Sequence, residues 1–247
     1  METGRLNCLL IAGGKWHDID FARLELLKLL AEDNRLRVRV LEDYSNLEAL
    51  AQADLLISYT CDVTPSLAEQ EALRAYVQNG GRWLALHGTN SILRFMEDDT
   101  IATPNWAPVF METLGSIFQA HPPIETYRVE PTGVEHPLVE NIQAFDVEDE
   151  QYLVHVTAPI EVLLDTEFEG QAGRFQANPW PKSRHPVLYL RHLGKGTVCY
   201  LTLGHCRGHY DLQPLVDFYP KIERGAWQQP VFYEILRRGI RWAKGEI

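Results

Sequence analysis

Near the start of the chain lies a continuous apolar run, LNCLLI at residues 6–11, which ends in Ala12-Gly13-Gly14. A run of this length without alternating polar residues is typical of a strand that is covered on both faces, as in a parallel sheet. The segment that follows, residues 20–32, places apolar side chains at helical spacing. A buried strand followed by an amphipathic helix indicates the beginning of an α/β fold.

The same alternation continues outward from this unit. Residues 35–41 alternate apolar and arginine side chains, which predicts a strand near a sheet edge, and residues 54–59 and 82–86 are two further strands. Thr64-Pro65 predicts the start of the helix between the last two, and Asn79-Gly80-Gly81 predicts its end. The order β-α-β-α-β-α-β predicts a doubly wound, mainly parallel central sheet with right-handed crossovers, of the flavodoxin-like type. Strands near residues 6–12, 54–59 and 82–87 are then parallel neighbours.

The remainder of the chain is less regular, and we interpret residues 1–247 as a single domain with an insertion and added strands. Residues 97–108 are predicted as an insertion loop, residues 109–118 as a short helix and residues 168–184 as a surface excursion. Strands are predicted at 124–130, 152–156, 161–165, 187–192 and 197–203, and a terminal helix at 231–244.

Composition and charge exclude several classes of function. The formal net charge of −11 opposes binding to nucleic acid or to an anionic membrane, because both repel an acidic surface. The sequence contains no apolar run of the roughly 20 residues that a membrane helix needs. Residues 1–7 lack the features of a signal leader, so we expect a cytoplasmic protein. A small-molecule partner is favoured, and homo-oligomerisation is left open.

Three histidines follow three predicted strands directly: His17, His87 and His205. Ligands in open α/β sheets bind beyond the carboxyl ends of the strands, so these imidazoles are expected to meet at one edge. Neutral imidazole is a common ligand of zinc and other first-row metals, and three such ligands are usual at catalytic zinc. The alternative is that the three rings hydrogen-bond a substrate directly. The sequence contains no local pair of metal ligands such as HExxH, so no spacing rule supports the metal site. It also lacks the glycine spacings of nucleotide-binding loops, so no nucleotide cofactor is expected.

The same positions carry a resemblance to the ThuA-like (trehalose utilisation) family. The matching motifs, in order, are AGGKWHD at 12–18, GGRWLALHG at 80–88, HPL at 136–138, DEQY at 149–152, GKGTV at 194–198, LGH at 203–205 and RGIRWA at 238–243. The family resembles a branch of the class I glutamine amidotransferase-like fold. The resemblance implies carbohydrate metabolism, with trehalose-like or oxidised sugars as the substrate class.

Amidotransferase chemistry is not expected to accompany that fold. His87 stands at the turn where amidotransferases carry their nucleophilic cysteine, and His205 is followed by Cys206-Arg207 instead of Pro-Glu. Four cysteines without CxxC spacing indicate reduced, mostly buried thiols. Neither Cys61 nor Cys206 is therefore expected to be a nucleophile.

The predicted site combines these observations. His87, His205 and Glu150 are the predicted catalytic residues, with Glu150 either a fourth metal ligand or a general base. Predicted substrate contacts are Trp16, His17, Asp18 and Tyr152, and Trp106 and Tyr210 are further candidate aromatic walls. A divalent metal such as zinc is expected on His17, His87 and His205. The rival interpretation is a non-catalytic amidotransferase-like domain that binds a sugar or a protein. Convergence of the histidines with a carboxylate would favour the enzyme.

Overall fold

The computed structural model describes residues 4–247, which form a large mixed sheet with helices and two small added sheets. The strands are β1 (Leu6–Gly14), β2 (Leu36–Leu41), β3 (Leu55–Cys61), β4 (Arg82–Leu86), β5 (Arg94–Phe95), β6 (Ile101–Ala102), β7 (Ser116–Ala120), β8 (Glu125–Pro131), β9 (Phe145–Asp149), β10 (Leu153–Val156), β11 (Glu161–Gly170), β12 (Trp180–Leu193) and β13 (Gly196–Leu201). The helices are α1 (Ile19–Leu30), α2 (Leu47–Ala51), α3 (Leu67–Gln78), α4 (Pro108–Leu114) and α5 (Pro230–Ala243).

The central sheet has nine strands in the order β2-β1-β3-β4-β13-β12-β11-β8-β9. The pairings from β2 to β13 are parallel, and those from β13 to β9 are antiparallel. β1 pairs with β3 and β3 with β4 in parallel, which confirms the predicted relation among the first three apolar strands. The prediction of a mainly parallel sheet is wrong, and the doubly wound description is not confirmed for the sheet as a whole. What the structure establishes is an α/β fold on a mixed sheet.

Side chains of β1 show why the run at residues 6–11 contains no polar alternation. Leu10 packs with α1 and α5 in one apolar cluster, whereas Leu9 and Ile11 pack with α2, α3 and α4 in another. Both faces of this strand are therefore buried, and a polar side chain on either face would lose its contact with water.

The helix after β3 begins later than its sequence predicts. Thr64-Pro65 does not start α3. Ser66 is its N-cap, and a reciprocal pair of hydrogen bonds joins Ser66 to Glu69. This capping box satisfies two backbone N–H groups at the helix start, which Thr64 cannot do from two residues upstream. The predicted end at Asn79-Gly80 is confirmed, with Gly80 at a φ of +114°.

Parts of the predicted insertion loop and of the predicted surface excursion lie over the carboxyl edge of the parallel strands. Residues 93–102 form the β5–β6 ribbon, and Ile101 forms an isolated bridge with Phe175 in the connection between β11 and β12. The interpretation of residues 168–184 as a surface excursion was therefore incomplete, because part of it covers the site. No helix within residues 4–247 is long and apolar enough to cross a membrane.

Candidate active site

Four side chains from four different segments meet at the carboxyl edge of β1 and β4. His17 follows β1, His87 follows β4, Glu150 follows β9 and His205 follows β13; all four are buried. Each offers one ligand atom, and these atoms lie within 4.8 Å of one another. We call these four residues the His/Glu cluster. The structure thus brings together the three predicted histidines and the predicted carboxylate.

Backbone conformation at two of these turns is unusual. Trp16 has a φ of 72° and His87 a φ of 45°, in the left-handed region that side chains larger than glycine rarely adopt. His87 opens a short 3₁₀ turn, and a Cβ on the next residue, Gly88, would lie 2.7 Å from the Thr60 carbonyl oxygen. Close packing against the end of β3 therefore fixes this turn. The turn buries the His87 ring completely.

Backbone carbonyls fix the tautomers of two cluster histidines. His87 Nδ1 lies 2.7 Å from the carbonyl oxygen of Thr202, and His17 Nδ1 lies 3.4 Å from that of Lys15. A carbonyl can only accept, so the short contact places the hydrogen of a neutral His87 ring on Nδ1 and leaves its Nε2 bare, and the longer contact favours the same tautomer of His17. The two Nε2 atoms are 2.9 Å apart. Two bare nitrogens at this distance repel unless a proton or a cation lies between them.

The third ring is fixed from its other nitrogen. His205 Nε2 lies 2.8 Å from the Glu223 carboxylate and donates to it. His205 Nδ1 lies 3.0 Å from Glu150 Oε1 but has no partner with hydrogen-bond geometry among the described residues. At metal sites a ligating histidine usually donates one N–H to a carboxylate or carbonyl, while its other nitrogen faces the atoms that share the metal.

Glu150 is the anion around which the imidazoles gather. Its Oε2 lies 3.6 Å from His17 Nε2 and 3.5 Å from His87 Nε2, while the side chain is 4% exposed. Burial alone would raise the pKa of Glu150, but His121, His205 and His17 outweigh it and hold the pKa well below its ordinary value. Glu150 is therefore ionised at neutral pH inside a nearly dry site.

His17 and His205 differ in charge. Burial is the largest influence on His17 and lowers its pKa to about 3, although Glu150 acts in the opposite direction. Burial also lowers the pKa of His205, but Glu150 and Glu223 outweigh it and raise the pKa to about 9. Without a cation, His205 is the ring that carries the positive charge opposite Glu150.

Three residues that the sequence did not single out complete the site. His121 Nε2 lies 3.5 Å from Glu150 Oε1, and Arg207 contacts both Glu150 at 3.3 Å and Glu223 at 2.8 Å. His121 follows β7 and Glu223 lies in an irregular segment, so no strand-end pattern marks either one. Arg207 does lie two residues beyond His205, and its position near the same strand end was an available signal.

The remaining predicted residues fall in different places. Trp16 and Tyr152 line a cavity of about 460 Å³ above the cluster, and the Tyr152 hydroxyl lies 3.3 Å from His87 Nε2. Asp18 caps α1 through Phe21 N–H and pairs with Arg224, and it is not among the lining residues. Trp106 and Tyr210 are exposed and do not line this cavity either.

No cysteine forms a hydrogen-bonded pair with a histidine among the described residues. All four are buried and unpaired. Burial raises the pKa of Cys206 to about 12 and that of Cys61 well above its ordinary value. A thiol that stays protonated is a weak nucleophile, which agrees with the expectation that no cysteine performs the chemistry.

Comparison with known proteins assigns the family. The family model for ThuA, trehalose utilisation, matches residues 8–218. The chain belongs to the ThuA family. No curated protein matches the chain.

Solved structures agree with membership of the ThuA family. A protein described as ThuA-like from Bacteroides uniformis ATCC 8492 has a TM-score of 0.68 at 19% identity, covering 98% of this chain and 93% of the other. A second, from Parabacteroides merdae ATCC 43184, has a TM-score of 0.64 at 16% identity, covering 98% and 91%. A β-galactosidase from Bacillus circulans sp. alkalophilus reaches 0.51 at 13% identity, over 80% of this chain and 28% of its own. At these identities the likeness concerns the fold alone.

Proposed function

We propose that this ThuA-family chain is a metal-dependent enzyme of carbohydrate metabolism whose His/Glu cluster holds one divalent cation beneath a sugar-binding cavity. The family description supports a carbohydrate as the substrate class. Convergence of three histidines and a carboxylate at one buried point favours catalysis over the rival interpretation as a binding module.

One observation supports the cation above all others: each imidazole is anchored through one nitrogen and presents the other to the cluster. Backbone carbonyls or Glu223 accept from the anchored nitrogens, and the inward His205 Nδ1 has no hydrogen-bond partner among the described residues. Nitrogens about 2.1 Å from a shared ion are roughly 3.0–3.4 Å apart, close to the 2.9 Å between His17 and His87 Nε2. The donor set of imidazoles and one carboxylate suits zinc or another first-row metal.

In this proposal the protein residues have separate roles. Glu150 Oε2 is the fourth ligand, because it faces His17 and His87, while Arg207 and His121 lie against Oε1. A cation here would polarise a sugar carbonyl or lower the pKa of a bound water. Tyr152 and Trp16 line the cavity next to this point and are the proposed substrate contacts.

Elemental analysis of the purified protein tests the proposal. We expect about one zinc or other first-row metal per chain, and loss of that metal in His87→Ala and Glu150→Gln. His192→Ala is the matched control, because His192 is an exposed histidine that contacts Glu161 and Thr197 outside the site. Parent protein that takes up no metal from a stoichiometric supply, or Glu150→Gln that keeps it fully, would contradict the proposal.

Activity is tested on the same preparations. Trehalose and its singly oxidised ketone derivatives are supplied to metal-loaded and chelator-treated protein, and product formation is followed by chromatography. We expect turnover that requires both the metal and Glu150. Metal bound at the cluster with no conversion of any sugar would leave the binding-module interpretation in its place.

A further inference from the structure

The cavity next to the His/Glu cluster has a polar part and an apolar part. One part of its lining, which we call the floor, consists of polar or titratable side chains that contact the His/Glu cluster or belong to it: His17, His121, Glu150, Tyr152 and Arg207. His17, Glu150 and Tyr152 are buried, and the side chain of His121 is only 24% exposed. Hydroxyl groups of a sugar ring therefore find hydrogen-bonding partners at this floor.

The other lining residues are mostly apolar. Trp16 packs edge-on against Phe95 with ring centroids 4.9 Å apart, and Phe118 packs against Phe175 at 5.3 Å. Asp99 and Arg174 are the charged residues at the exposed rim. They form an ion pair with each other at 3.2 Å, so neither is an unpaired partner for a second polar ring.

The mouth is formed by an apolar excursion, residues 208–222, which we call the mouth segment. Reciprocal backbone hydrogen bonds between Arg207 and Glu223 close its base, directly beside the cluster. Its side chains Leu212, Leu215 and Val216 line the cavity. Leu215 is 51% exposed and Val216 40% exposed, and the segment also leaves Tyr210, Phe218 and Ile222 open to solvent.

Exposed apolar side chains concentrated at the mouth of a site favour a ligand that covers them. A second sugar ring would place its hydroxyls against aliphatic carbon without hydrogen-bond partners, and unpaired polar groups are costly to bury. An aromatic or alkyl group loses nothing there and gains from leaving water. The cavity of about 460 Å³ is within the range of sites for small molecules of this size.

We propose that the substrate is a glycoside with an apolar aglycone: its sugar ring lies on the polar floor at the His/Glu cluster, and its aglycone lies against Leu212, Leu215 and Val216. This inference rests on the proposed function, since it assigns the sugar to the cluster. It goes further by naming what the sugar is attached to, and it predicts that a free disaccharide is the poorer ligand.

Calorimetric titration of the zinc-loaded full chain tests the inference with methyl glucoside, phenyl glucoside (both anomers of each), trehalose and phenol. We expect phenyl glucoside to bind about 10- to 100-fold more tightly than methyl glucoside, as burial of a phenyl ring implies. Leu215→Asn should remove most of that difference and leave methyl glucoside binding unchanged. Because Leu215 is half exposed, the variant should fold.

A matched control is Leu67→Asn, since Leu67 is 65% exposed on α3 and does not line the cavity. It should keep the full preference for phenyl glucoside. Equal affinity for the phenyl and methyl glucosides in the parent, tighter binding of trehalose, or no binding of any glycoside would overturn the inference. Phenol binding as tightly as phenyl glucoside has a different meaning: the apolar mouth would stand, and the sugar-binding function itself would fail.

Discussion

At the scale of single residues, protonated His205 provides a positive charge beside the carboxylates of Glu150 and Glu223. It lies between two carboxylates, 3.0 Å from Glu150 and 2.8 Å from Glu223, and they raise its pKa to about 9 against the opposing effect of burial. A histidine in the unfolded chain has a pKa near 6.5. In metal-free protein, the folded state therefore holds a proton between pH 6.5 and 9 that the unfolded state has released.

Proton linkage determines whether the free energy of unfolding rises or falls with pH. Because the folded state binds more protons in that window, the free energy of unfolding falls as pH rises from about 6.5 to 9. We expect a loss of roughly 1–3 kcal/mol, measured by urea unfolding of chelator-treated protein at several pH values. His205→Gln should lack this slope, whereas His192→Gln, altered at an exposed histidine, should keep it. A stability that is flat or rises with pH across this window would contradict the assigned charge.

Sequence predicted the residues of the site as far as strand ends could indicate them. His17, His87 and His205 each lie within four residues of the end of a strand, and parallel strands bring such positions to one edge. His121 and Glu223 reach the same point from an antiparallel added strand and from an irregular segment. Their placement depends on tertiary packing, for which no local spacing exists, so sequence reasoning missed them.

At the scale of elements, β9 divides the acidic run at residues 146–150 between an exposed and a buried face. Its side chains alternate, with Asp146 and Glu148 outward and Val147 and Asp149 inward. The buried side chain of Asp149 accepts hydrogen bonds from backbone N–H groups, which compensate for its loss of contact with water. Alternation at a period of two is a strand signal, and no strand was predicted at residues 145–149.

Asp149 fastens the elements that carry two members of the cluster. Its carboxylate accepts from the backbone N–H groups of Glu150, Gly204, His205 and Ala226. Removing it would leave buried donors without partners and release the loops after β9 and β13. We expect Asp149→Ala to lower the free energy of unfolding by about 2–4 kcal/mol, measured by urea denaturation.

A second measurement on Asp149→Ala, its affinity for zinc, distinguishes a role in positioning the cluster from a role in general stability. Asp149→Ala should also weaken zinc binding in conditions where the variant remains fully folded, because Glu150 and His205 are then no longer held in register. Asp20→Ala removes an exposed carboxylate of α1 and should change neither quantity by more than about 0.5 kcal/mol. An Asp149→Ala protein that is destabilised but binds zinc normally would restrict this residue to a structural role.

At the scale of the whole molecule, the sheet consists of a parallel half and an antiparallel half that join at β13. The parallel half was predictable, since apolar runs alternate with amphipathic helices and short crossovers dictate its pairing. The antiparallel half was not, because the hairpin of β8 and β9 joins the sheet at β11, while β7 and β10, which flank it in sequence, form a separate sheet. The His/Glu cluster lies where the two halves meet: β1 and β4 supply His17 and His87, and the far-edge strand β9 leads to Glu150.

A cation in the cluster would therefore link both halves of the sheet and stabilise the folded chain as one unit. Binding to the folded state alone adds about 2.7 kcal/mol at a zinc concentration one hundred times the Kd. For a chain of 247 residues this corresponds to a rise in Tm of roughly 5–10 °C, which a chelator should reverse. Hydrogen exchange should slow in the loop after β1 and in the loop after β9 together, since one ion holds both. Glu150→Gln should show neither effect, and a zinc-dependent rise in its Tm equal to that of the parent would place the stabilising ion elsewhere in the molecule.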